Sequence, residues 1–158
     1  MRRTDREITE FHKIIDIIDR SDVLRLGLTD KNAPYIVPVN FGYTVENETI
    51  TFYFHSADEG RKGTLIAENP YVCFEMDRLI RIVEGNVPCN WSSDYESVIG
   101  YGTITRLTAL DEQKAAMDTI MRKNGYKGAL TYPDAIFSRM AMYKLTVEAI
   151  SGKANTHT

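Results

Sequence analysis

The stretch Phe52-Tyr53-Phe54-His55-Ser56-Ala57-Asp58-Glu59-Gly60-Arg61-Lys62-Gly63 decides how this chain folds. Aromatic residues make a strand, small and acidic residues turn it, and a short helix follows that carries Leu65-Ile66 and stops at Asn69-Pro70. Arg61 and Lys62 sit in the first turn of that helix. A helix N-terminus already bears partial positive charge and unsatisfied N–H groups, so two cations add like charge where Asp or Glu would stabilise. A bound anion resolves the conflict, because a phosphate would accept hydrogen bonds from the backbone, the Arg61 fork and the Lys62 ammonium together. The plain alternative is a surface turn whose two side chains reach into water.

Upstream of this segment, Thr4 and Glu7 fit a capping box, and Ile8, Phe11, Ile15 and Ile18 recur at helical spacing through Asp19. His12 lies in this opening helix with no partner at metal-ligand spacing. Leu24, Leu26 and Leu28 alternate as a strand, and Thr29-Asp30-Lys31-Asn32 turns it. Pro34-Tyr35-Ile36-Val37-Pro38-Val39-Asn40-Phe41-Gly42-Tyr43 then places Tyr35, Val37, Val39, Phe41 and Tyr43 on one face. Pro38 and Gly42 break its regularity, as at a bulge on an edge strand, and open the face that carries Pro38 and Asn40. Glu46-Asn47-Glu48 turns a hairpin into the strand that ends at His55.

Downstream, Val72, Phe74 and Met76 mark a strand, and another runs near Leu79 to Glu84. The segment from Gly85 to Glu96, with Pro88, Trp91 and Ser92, reads as a long loop of the kind that carries function. Ser97 to Leu107 returns to strand, with Gly100 and Gly102 suited to sharp coiling. Thr108 and Asp111 cap a second helix with the apolar stripe Leu110, Met117, Ile120 and Met121. Its charges complement the dipole: Asp111-Glu112 lie at its start, Arg122-Lys123 at its end, and Gly125 stops it. A helical turn is expected around Asp134 to Arg139, then a strand through Tyr143, Leu145, Val147 and Ala149, then a polar tail from Ser151 to Thr158.

The chain has 158 residues, 43% of them hydrophobic and 26% charged, which predicts one globular domain over residues 1–158. The net charge of −3 and the scattered basic residues give no field for nucleic acid. No apolar run has the length of a membrane span or follows Met1-Arg2-Arg3 as a signal peptide would, so a cytoplasmic location is the expectation. Cys73 and Cys89 match no zinc pattern and read as free thiols, and no metal site is expected. The fold class that follows is mainly β, within α+β: a small antiparallel barrel of about six strands with flanking helices.

The sequence resembles the flavin-binding split-barrel superfamily that includes pyridoxamine 5′-phosphate oxidase, and within it the nitroimidazole-resistance (Nim-type) proteins. The stretches that carry the resemblance are Pro34 to Tyr43, Phe54-His55-Ser56-Ala57 with Gly60-Arg61-Lys62, Asn69-Pro70, Tyr95 to Gly102, and Ile150-Ser151-Gly152-Lys153. They span nearly the whole chain in the family's order. The resemblance implies a homodimer of split β-barrels with FMN in clefts at the subunit interface. It implies that Ser56, Arg61 and Lys62 hold the phosphate and that the backbone of Val37, Pro38, Val39 and Asn40 lies along the ring system. His55 would stand near flavin and substrate as the catalytic residue, and Trp91 and Ser92 would cover the site from the same or the neighbouring subunit.

The reaction so implied is reduction of a small acceptor such as a nitroaromatic, with the nitro group taken to the amine, and His55 as proton donor. Three readings compete with it: an oxidase acting on a pyridoxamine-like phosphate, a non-catalytic flavin- or haem-binding protein, and the same barrel with a deazaflavin. FAD is a further alternative to FMN as the cofactor. An oxidase would need a second basic cluster for its substrate phosphate, and none is evident.

Overall fold

The computed structural model describes residues 3–156. Thr4–Arg6 form a single 3-10 turn, followed by β1 (Glu7–Ile8) and α1 (Phe11–Arg20). Then come β2 (Leu24–Leu28), β3 (Tyr35–Val39), β4 (Gly42–Glu46), β5 (Thr49–Ala57) and α2 (Arg61–Glu68). The long strands β6 (Tyr71–Val83) and β7 (Ser92–Leu107) precede α3 (Leu110–Lys123), and β8 (Met140–Asn155) closes the order. The strands form one antiparallel sheet in the order β3-β2-β6-β7-β8-β5-β4, with β1 paired to β8.

The edge strands β3 and β4 are consecutive in the chain. Only Asn40 and Phe41 join them, so the sheet must curl until its two edges lie side by side without pairing, which is a split barrel. Phe41 is buried at this crossing, edge-on to Phe52 at 5.7 Å between ring centroids, and Phe52 in turn meets Phe74 at 5.2 Å. With Leu24, Leu26 and Leu28 these rings make the centre of the core. The run from Pro34 to Tyr43 is therefore two strands rather than one bulged strand. Its alternation continues through the crossing because both strands turn the same residues inward.

The expected six or so strands become eight: this crossing adds one and β1 adds another, while two expected runs merge into one. The runs at Val72 and Leu79 are one strand with a register irregularity between Leu79 and Arg81. Glu7 and Ile8 pair with Lys153 and Gly152, so the capping box at Thr4 does not form and α1 starts after Glu10 with no side-chain cap. Ser92 to Glu96 belong to β7, which shortens the loop to residues 84–91, and Ser151 to Asn155 continue β8 instead of forming a tail. His157 and Thr158, like Met1 and Arg2, lie outside the described residues. Gly100 and Gly102 stand where the sheet coils most tightly: a Cβ on Gly100 would lie 2.3 Å from the Phe74 ring, and one on Gly102 2.2 Å from the Thr146 carbonyl.

α1 packs Ile14, Ile17 and Ile18 into the barrel, and Arg20 clamps the buried Glu96 of β7 with two hydrogen bonds of 2.9 and 2.7 Å. α3 covers the other side through Ala116, Met117 and Ile120, against Leu107, Phe137 and Met142. Its cap is Ala109, not Thr108, while its charged ends and Gly125, at φ +85°, match the sequence pattern. Asp134–Arg139 form the expected short turn of helix. Among the described residues no helix is long and apolar enough to cross a membrane.

Candidate functional site

At one mouth of the barrel β5 runs out at Ala57, Asp58 and Glu59 turn, and Gly60 at φ +137° starts α2. No side chain caps α2, and no acidic residue lies in its first turn. The electrostatic conflict read from the sequence is thus present in three dimensions, but the two cations resolve it differently.

Arg61 has partners. Its guanidinium bonds Asp30 in the β2–β3 turn, with Nε at 3.2 Å and Nη2 closer still, and lies 4.5 Å over the Tyr35 ring. That bond and the Lys31 N–H hold the Asp30 carboxyl below its ordinary range. Neither partner was visible in the sequence, because Asp30 is 31 positions away and the contact depends on where the β2–β3 turn meets α2. These contacts tie the cation to the start of β3, the strand that carries Val37, Pro38 and Val39. β3 is an edge strand with Pro38 exposed and Val39 buried, and Asn40 follows it, exposed, at the crossing to β4.

Lys62 has no acidic partner among the described residues. Its ammonium lies 5.8 Å over the Phe54 ring, and partial burial pushes its pKa down from the ordinary value. His55, at the end of β5, is open on one side yet crowded enough that desolvation, and then the Lys62 charge, lower its pKa from 6.5. The folded chain therefore takes up its proton at lower pH than the unfolded chain does. His55 costs stability only below the ordinary histidine value, and near neutral pH its ring is uncharged with a lone pair to accept a proton. Ser56, beside it, turns its hydroxyl to the Ala57 carbonyl at 2.8 Å. His55, Ser56, Arg61 and Lys62 thus share one mouth of the barrel, a cationic corner with an uncapped helix end.

Trp91 and Ser92 are elsewhere. α2 feeds into Tyr71, paired with Thr103, whereas Val83 pairs with Ser92 at the far end of the same hairpin, about 40 Å along the strand at an ordinary rise. Trp91 is 53% exposed there and donates from Nε1 to the Gly85 carbonyl at 3.1 Å. Within one chain the structure does not bring it to the cationic corner.

Residues 11–154 match the family model described as pyridoxamine 5′-phosphate oxidase. No curated protein sequence matches the chain. Among solved structures, a candidate 5-nitroimidazole antibiotic resistance protein from Bacteroides thetaiotaomicron VPI-5482 is similar at 32% identity, covering 94% of this chain and 86% of that one, with a TM-score of 0.81. The FAD and haem binding protein from Mycobacterium smegmatis shares the fold at 15% identity, with a TM-score of 0.81 over 96% of this chain and 74% of that one. The flavocytochrome Anf3 from Azotobacter vinelandii does so at 16% identity, with a TM-score of 0.79 over 99% and 72%.

Proposed function

The chain belongs to the pyridoxamine 5′-phosphate oxidase family, and from that premise we propose that it is an FMN-dependent oxidoreductase that reduces a small acceptor such as a nitroaromatic. The observation that carries the cofactor reading is Lys62: a partly desolvated ammonium without a carboxylate, at a helix N-terminus that no side chain caps. A phosphate supplies what both lack. Arg61 has donors left beyond those it gives Asp30, and the Ser56 hydroxyl can turn to the same anion. The residues present therefore fit the phosphate end of FMN, with Val37, Pro38, Val39 and Asn40 along the ring system. The nitroaromatic acceptor rests on the similarity to the Bacteroides protein.

FMN, when bound, would carry electrons from a reduced nicotinamide or similar donor to the acceptor; the chain binds, orients and moves protons. His55 holds a free ring nitrogen next to that site, where it takes up a proton from water and relays it to the acceptor as the acceptor is reduced.

The active form in this reading is a homodimer. On the outer face of the sheet Ile36, Gly27, Cys73 and Tyr101 stand in register across four strands, and Ile36 is 64% and Tyr101 46% exposed. Beside them Arg25 joins Glu75 and Asp77 at 3.0 and 2.6 Å, which is mixed charge able to meet its own copy about a twofold axis. In such a dimer Trp91 and Ser92 would cover the cationic corner of the second copy.

The purified protein should show an oxidised-flavin absorption spectrum and release a ligand with the mass of FMN. A colourless protein that takes up no added FMN would overturn the reading. Replacing His55 with alanine should lower acceptor reduction about tenfold to a hundredfold while FMN affinity changes little. Unchanged turnover would leave His55 a structural residue.

A further inference from the structure

Behind α2, on the side away from Asp30 and Tyr35, lies a cavity of about 410 Å³ between the helix and strands β7 and β8. Gly63 and Ala67 form one wall, Thr103 to Arg106 the other, and Ile66, Ile104 and Tyr143 the floor. All three floor residues are buried. Tyr143 is only 3% exposed, its ring stacked on Phe54 at 5.2 Å and 17°. Its hydroxyl makes no hydrogen bond among the described residues and lies 3.3 Å from where a Cβ on Gly63 would be, so it opens into the accessible space that the glycine leaves.

Arg106 stands directly opposite Tyr143 in the β7–β8 register, so the two side chains leave the sheet on the same face about 5 Å apart at their Cβ atoms. Its guanidinium pairs with Asp58 through Nη2 and keeps further donors for a second acceptor. The side chains that line the cavity thus offer an apolar floor, the hydroxyls of Tyr143, Thr103 and Thr105, the Arg106 guanidinium, and no carboxylate among them.

We propose that this cavity is a second ligand site, for a small aromatic carboxylate. The ring would lie on Ile66 and Ile104 between Gly63 and Ala67. One carboxylate oxygen would accept from the Tyr143 hydroxyl and the other from Arg106. The site shares α2 with the flavin corner but none of that corner's residues, and it stands whether or not FMN is the cofactor.

The test titrates the full-length chain with benzoate, with and without FMN, and reads backbone amide shifts. Saturable shifts are expected at Gly63, Ala67 and Thr103 to Arg106. Tyr143→Phe should weaken benzoate about tenfold, since it deletes one hydrogen bond to a charged acceptor and no bond within the protein. Ala67→Leu, which fills the cavity, should abolish binding, and neutral benzyl alcohol should bind more weakly than benzoate. The proposal is overturned by no saturable shift at millimolar benzoate, by shifts confined to His55 and Lys62, or by unchanged affinity in Tyr143→Phe. That variant keeps the stacked ring and so folds, which makes its result decisive even if Ala67→Leu does not fold.

Discussion

Replacing Arg61 and Lys62 together with alanine should give a folded protein that no longer retains FMN. Hydrogen bonds from a cation to a charged acceptor are worth about 1.5–3 kcal/mol each, so losing two corresponds to about 10²–10⁴-fold in dissociation constant. The two residues should not contribute equally. Arg61 is already neutralised by Asp30 and held on Tyr35, so a phosphate shares it, whereas Lys62 gains its only counter-charge from the ligand. Lys62→Ala alone should therefore weaken FMN more than Arg61→Ala alone. Fluorescence titration of the apoprotein measures all three variants. Wild-type affinity in the double variant would remove the phosphate from this corner. Because Lys62 lowers the His55 pKa, the lysine variant should also raise the His55 titration midpoint in the free chain, a separate readout by NMR.

The second large effect is on stability. Gly42→Ala should lower the melting temperature by about 6–12 °C, from a cost of about 3 kcal/mol in a chain of this size. A Cβ at Gly42 would lie 2.5 Å from the carbonyl carbon and oxygen of Thr119 and 2.6 Å from the Ile120 nitrogen. These are backbone atoms of α3, which cannot swing aside as a side chain can. The helix would have to move off β4, which would disturb the packing of Ala116, Met117 and Ile120 and the 3.2 Å bond from Asn124 Nδ2 to the Phe41 carbonyl. Calorimetry decides, and a melting temperature within a degree of wild type would mean that α3 is not seated as described.

Period-two alternation made most strands legible, because each has one face in the core: Leu24, Leu26 and Leu28 are all buried. The same alternation hid the crossing between the sheet edges, since Val39 and Phe41 are both buried on either side of it and nothing in their spacing marks a change of partner. Gly42 looked like a flaw in a strand, and its reason is a helix 77 positions later. The cationic corner was legible because His55, Ser56, Arg61 and Lys62 lie within a few residues of one another. The partners of Arg61, and the pairing of Tyr143 with Arg106, depend on strand register and turn placement that only the assembled sheet sets. Trp91 had a residue type that suggested a role, yet its distance from the corner follows from the length of β6 and β7, which read as shorter strands around a longer loop.

β8 pairs with β1, β5 and β7, the first strand and two later ones. During synthesis the ribosome delivers this shared neighbour after all the others, so the nascent chain waits with the flanks of β5 and β7 bare until some 140 residues have emerged. Open strand flanks recruit other chains. Expression yield should therefore depend on chaperones that shield unfinished polypeptide, and a premature stop before Met140 should produce aggregate rather than a smaller folded protein.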